Sequence, residues 1–124
     1  MSTFQGKLSV VLVQEASFSQ DGLAFWEVLS PFSYQSDVAK QVFTVPAGFK
    51  TDFMTIPRLP AVFDLLGGKA NQAGTLHDWL YSSHTVEREV ADSVLREAVQ
   101  LSGLDETEAE AIYLAVREFG GSHW

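Results

Sequence analysis

Thr51-Asp52-Phe53-Met54-Thr55-Ile56-Pro57-Arg58 divides this chain into two halves of different character. Before it, apolar residues recur every second position or in short runs broken by turn residues. After it, they recur every third or fourth position. The first period is that of strands and the second that of helices.

Upstream, residues 7–13 are rich in Val and Leu. Residues 23–29 alternate Leu23, Phe25, Glu27 and Leu29 on one face with Ala24, Trp26 and Val28 on the other. Residues 41–45 alternate Gln41, Phe43 and Val45 with Val42 and Thr44. Ser19-Gln20-Asp21-Gly22 and Pro46-Ala47-Gly48 supply turn chemistry between them, and residues 49–53 form the returning arm of a hairpin. Strands joined by such short turns pair antiparallel.

Downstream, Pro57 and Pro60 open the helical half. A short helix over 61–66 stops at Gly67-Gly68, where glycine suits a left-handed C-terminal cap. A second covers 72–82 with Asn71 as its cap, and a third covers 86–101 with Thr85 as its cap and Ser102-Gly103 as its end. A fourth covers 106–119, with Asp105 capping it, Glu108 as the reciprocal partner three residues on, and Gly120-Gly121 ending it. The fold class is therefore α+β: a small antiparallel β-sheet from the N-terminal half, packed with three to four helices that include an antiparallel helical hairpin. No repeat or linker interrupts the 124 residues, so 1–124 reads as one domain with a β-rich part (1–56) and a helical part (57–124).

Composition narrows the function. Eight Lys and Arg against sixteen Asp and Glu leave a net charge of -8. A phosphate-backbone binder needs a basic face, so nucleic acid is excluded as a partner. Anionic lipid is disfavoured for the same reason. The absence of cysteine removes disulfides, thiolate metal sites and a Cys nucleophile. No apolar run has the length of a transmembrane segment, and the first residues carry no export pattern, so synthesis in a cytoplasm is expected.

The chemistry concentrates in His77-Asp78-Trp79-Leu80-Tyr81. Ala73, Leu76 and Leu80 define the apolar stripe of that helix, and His77 and Tyr81, four apart, fall on it. Asp78 stands at its edge and Trp79 points mostly outward, at about 100° per residue. An imidazole can take and return a proton near neutral pH, and works best when a carboxylate fixes its far nitrogen. Only Ser83-His84-Thr85 separates this helix from the next, so the two pack side by side and Asp92 can face His77. The expected catalytic set is His77, Asp92 and Tyr81, with Asp52 and Arg58 lining the mouth of a substrate pocket.

Each residue also has a structural reading. His77 and Tyr81 can be core residues with satisfied hydrogen bonds. Asp92, at the border of an apolar arc, is flanked by Arg88 and Arg96 at four-residue spacing, as in a surface charge ladder. Asp52 can take backbone hydrogen bonds, with Thr55 capping the next turn. His84 and His123 read as solvated, and three His without regular spacing do not make a metal site. Nine of the sixteen acids lie between Glu87 and Glu118, which reads as the solvated face of two helices.

Val45-Pro46-Ala47-Gly48-Phe49-Lys50-Thr51-Asp52, Ile56-Pro57-Arg58, His77-Asp78-Trp79-Leu80-Tyr81 and Ala91-Asp92 occur in an order that resembles domain-of-unknown-function family 1353, common in tailed bacteriophages and prophages. The resemblance runs from about Val42 to Ala115-Val116-Arg117-Glu118-Phe119-Gly120. It implies a phage origin and supplies no activity.

A second, shorter resemblance, from about Thr75 to Leu95, is to the active-site helices of phospholipase A2. It implies His77 as the base activating water, Asp78 as a ligand of calcium, Asp92 as the orienting carboxylate and Tyr81 as a hydroxyl bonding to Asp92. The cysteines and the glycine-rich calcium loop of that family are missing from this chain.

Two functions are expected from these readings. One is a small phage hydrolase, virion- or lysis-associated, acting on an ester or amide of the host envelope. The other is a non-catalytic structural, assembly or tail-associated module. Its partners are other phage structural proteins or a host-envelope component, and its His-Asp-Tyr cluster is a buried polar network. In both the chain is made in the host bacterial cytoplasm. The second places it in the virion.

Overall fold

The structure is a computed structural model in which residues 1–14, 25–51 and 71–124 are described. The expected turn at Ser19-Gln20-Asp21-Gly22, the helix over 61–66, and the residues Asp52 and Arg58 lie outside the described residues.

Among the described residues six strands form two three-stranded antiparallel sheets, where one sheet was expected. The first sheet has the order β1-β4-β5, from β1 (Thr3–Gln5), β4 (Phe32–Ser36) and β5 (Gln41–Val45). The second has the order β2-β3-β6, from β2 (Val10–Gln14), β3 (Phe25–Val28) and β6 (Lys50–Thr51). Strands β1 and β4 were not anticipated. Yet β4 carries a period of two: Phe32, Tyr34 and Ser36 are buried while Gln35 is exposed. Tyr34 pairs with Phe43 and Phe32 with Val45, so the inward residues of adjacent strands meet on one face. In the second sheet Trp26 lies opposite Thr51, and a bulge shifts the β2 register between Leu12 and Gln14.

Among the described residues three helices follow: α1 (Asn71–Ser83), α2 (Arg88–Leu101) and α3 (Glu106–Phe119), then a 3-10 turn, Gly120–His123. Among the described residues no helix is long and apolar enough to cross a membrane. The α3 start is the expected capping box. Asp105 accepts from the Glu108 amide, and the Glu108 carboxylate accepts from the Asp105 amide. The α2 start differs from expectation. Its cap position is Glu87, not Thr85, and the Thr85 hydroxyl instead lies 2.7 Å from that of Ser83. Asn71 is the first residue of α1, and its carbonyl accepts from Thr75 Oγ1.

The core lies between helices and sheets. Leu76, Leu80 and Ala73 of α1 pack with Ala91, Val94, Leu95 and Ala98 of α2. Ile112 and Val116 of α3 join them, as do Val28, Phe32, Tyr34, Phe43 and Val45 of the strands. Full burial of one such side chain stabilises by roughly 1.5–3 kcal/mol before chain entropy is subtracted.

Two polar contacts fix the sheets to the helices. Thr51 on β6 donates its hydroxyl to the buried carboxylate of Asp78 on α1. On the other sheet, Tyr34 and Ser36 donate to one carboxylate oxygen of Glu97 on α2, at 2.7 and 2.8 Å. The Val38 amide reaches the other oxygen at 3.0 Å. Trp79, expected to face outward, is half-buried and meets Phe49 edge-on at 5.2 Å.

Candidate functional site

Helix α1 is buried over most of its circumference, so its polar residues need partners inside the protein. His77 and Tyr81 point inward, as their spacing predicts, at 0% and 2% exposure. Their rings lie 4.3 Å apart, one turn above the other. His77 and Asp92 sit at similar distances from the 84–87 connection, which brings them to the same height on paired helices.

Asp92 is the centre of the cluster. Its Oδ1 lies 2.7 Å from His77 Nε2 and accepts from the Tyr81 hydroxyl at 2.6 Å. Its Oδ2 accepts from Arg117 Nη1 at 2.8 Å. A wheel placing Asp92 at the edge of the apolar arc understated its burial, because α1 and α3 close over it from both sides. It has no exposed surface.

The charge-ladder reading of Asp92 holds only for Arg88, and not at a surface, since Asp92 is buried. Arg96 turns away to Glu110 of α3, at 2.8 Å, and covers the Tyr113 ring. Arg88 stands 4.0 Å from Asp92 Oδ2 and donates to the Tyr81 hydroxyl at 3.2 Å. Its outer nitrogen also donates to the carbonyls of Val116 and Arg117, 2.8 Å each. Those carbonyls end α3, where a cation is favoured by the helix dipole. Gly120 completes the enclosure. A Cβ there would stand 2.9 Å from the Tyr81 oxygen, so only glycine allows the chain to pass this close.

The electrostatics follow from these contacts. Burial works to raise the Asp92 pKa, but the bonds from His77, Tyr81 and Arg117 outweigh it and hold the carboxyl below its usual value. Burial, then the bond to Asp92, pushes the Tyr81 hydroxyl far above its usual range, with Arg88 opposing. The bond to Asp92 raises the Arg117 guanidinium further. The site is thus an aspartate held by a guanidinium, a phenol and the His77 ring.

Of the expected site residues, the structure brings His77, Asp92 and Tyr81 together. Asp52 and Arg58 lie outside the described residues. Asp78, matched by analogy to a calcium ligand, is buried and accepts from Thr51. Among the described residues no three His, Cys, Asp or Glu side chains converge as a metal set. Arg88 and Arg117 were not anticipated as members of the cluster. A cation in the last turn of α3 is a visible signal, but nothing local ties it to a residue on another helix. His84 is exposed, as expected, and lies flat against Trp124, with ring centroids 3.9 Å apart.

No curated protein and no solved structure matches the chain. A family profile matches residues 26–116, starting earlier than the motifs suggested and stopping one residue short of Arg117. Strands β1 and β2 and the chain end that closes over Tyr81 therefore lie beyond the matched part. The chain belongs to the family of proteins of unknown function DUF1353.

Proposed function

We propose that this protein is a non-catalytic interaction module of a bacteriophage or prophage, and that the His77-Asp92-Tyr81 cluster holds its helices in one arrangement. One observation carries the structural role of the cluster: Asp92, with no exposed surface, bonds to His77 and Tyr81 of α1 and to Arg117 of α3. A buried carboxylate costs several kcal/mol to desolvate, about what a paired and fully hydrogen-bonded site can offset. Among the described residues every buried side-chain nitrogen or oxygen has a partner. A network so completed specifies how packed elements sit. The phage setting rests on the sequence resemblance alone.

The test has two parts. His77→Ala should lower stability by about 1–3 kcal/mol in urea unfolding, as for a broken buried network. The protein should also be recovered in fixed stoichiometry from purified particles of the phage that encodes it. Particles that lack it would sink the assembly role.

A hydrolase acting on a host-envelope ester or amide is the second reading. It is favoured by the 2.7 Å contact between His77 Nε2 and Asp92, the geometry of an oriented general base. Against it stand the full burial of His77 and the Arg117 bond, which engages the other oxygen of the Asp92 carboxylate. Turnover of envelope esters or amides by the wild type, abolished in a folded His77→Asn variant, would overturn the module reading in its favour.

A further inference from the structure

Helix α1 ends on a residue that is usually glycine. His84 is the first residue past the helix, with φ at 51° and its amide donating to the Leu80 carbonyl at 3.0 Å. This is the left-handed C-terminal cap, which glycine adopts without steric cost and histidine does not. The imidazole placed there stacks on the Trp124 indole, 7° from parallel. Tyr81 closes on the same indole edge-on at 5.2 Å.

This stacked pair forms one wall of an open groove of about 650 Å³ between the β4–β5 turn and the start of α2. Its size falls in the range of roughly 300–1,000 Å³ typical of ligand sites. Val38 and Ala39 line it from the turn, and Val86 and Val90 line it from the helix side. Glu87 brings the carboxylate of the lining. It occupies the α2 cap position yet makes no side-chain capping bond. Arg88 is committed to the α3 carbonyls, and Lys40 lines a separate depression with Asp37. The groove thus joins an aliphatic strip to the polar Gln41 and Thr85 and one carboxylate, on a chain of net charge -8.

We propose that this groove binds an extended peptide segment of a partner protein in which a lysine or arginine lies beside an aliphatic side chain. The aliphatic group rests on Val38, Val86 and Val90. The basic side chain lays its stem along the His84-Trp124 wall and sets its charge against Glu87. None of these side chains bonds to Asp92, so failure here leaves the structural role of Asp92 standing.

The test is a titration of the full, isotope-labelled chain with acetyl-Val-Lys-Val-Lys-Val-amide, followed by amide and indole NMR shifts. The expected result is saturable shifts over residues 38–41 and 84–90 and at the Trp124 indole, weakening as salt rises. The matched peptide with Glu in place of Lys should leave them unmoved. Glu87→Gln should weaken binding several-fold. His84→Gly, which keeps the left-handed cap and loses the wall, should also weaken it without unfolding the protein. No shift at millimolar peptide, an equal response to the acidic peptide, or undiminished binding by Glu87→Gln would overturn the proposal. So would shifts that appear with protein concentration alone, which would assign the groove to a second copy of the chain.

Discussion

Of the three carboxylates on helix α2, Asp92 and Glu97 face different parts of the molecule. Asp92 turns toward α1 and α3 and takes two cation-bearing elements and an imidazole into its surroundings. Glu97 turns toward the first sheet and takes neutral donors only: the Tyr34 and Ser36 hydroxyls and the Val38 amide. Burial, then Glu97, pushes the Tyr34 hydroxyl far above its usual range. Asp92 is sealed and balanced by charge, whereas Glu97 is half-buried and balanced by dipoles. At the sealed site of this helix the carboxylate is matched by a cation close by. A carboxylate that keeps some water needs only hydrogen-bond donors.

The largest expected effect comes from removing the sealed group. Asp92→Ala should cost about 3–5 kcal/mol, because it leaves Arg117, His77 and Tyr81 facing an emptied site. Chemical denaturation of the purified variant measures it. A loss no greater than that of Glu97→Ala would erase the distinction drawn between the two carboxylates. Glu97→Ala should cost less, about 1–3 kcal/mol, since Tyr34 and Ser36 lose their acceptor at a partly wet site. Its signature should be local, with faster amide exchange over the 36–41 turn and little change around α3.

Acid sharpens the same comparison. The Asp92 pKa in the folded protein is held below its usual 3.8, the value expected for the unfolded chain. Its contribution to stability is therefore complete above about pH 4–5 and is lost as pH falls through the lower folded value. Unfolding curves taken between pH 6 and pH 2.5 should show a decline in the wild type that is shallower in Asp92→Asn. Equal slopes would mean that Asp92 is not held in its charged form. The smallest effect should come from Arg96→Ala. Its ion pair with Glu110 is solvent-exposed on both sides and its guanidinium covers the Tyr113 ring, and losing both should change stability by no more than about 1 kcal/mol.

The contrast also marks where sequence reading reaches. His77 and Asp92 were paired from two local facts, a helical stripe and a short connection. Helical geometry propagates both over a few turns. Tyr81 followed from being four residues beyond His77. Glu97 had no such route, because Tyr34 and Ser36 lie more than sixty residues away along the chain. Arg117 was in view only as part of a motif, since its contact with Asp92 depends on how α3 returns across α2. Strand β4 was readable in principle from Phe32, Tyr34 and Ser36 alternating with Ser33 and Gln35, but its polar residues masked the pattern.

By itself the sequence determined the class of each half, the three described helices, the capping box of α3 and the inward aim of His77 and Tyr81. These depend on backbone periodicity and on hydrogen bonds between residues close along the chain. Tertiary structure alone decided that the strands form two sheets and that Glu97 anchors one of them. It also decided that Asp92 is buried under Arg117, and that His84 meets Trp124 at the edge of a groove. Each of these contacts joins distant segments, and it exists only once burial of the shared core has brought them together.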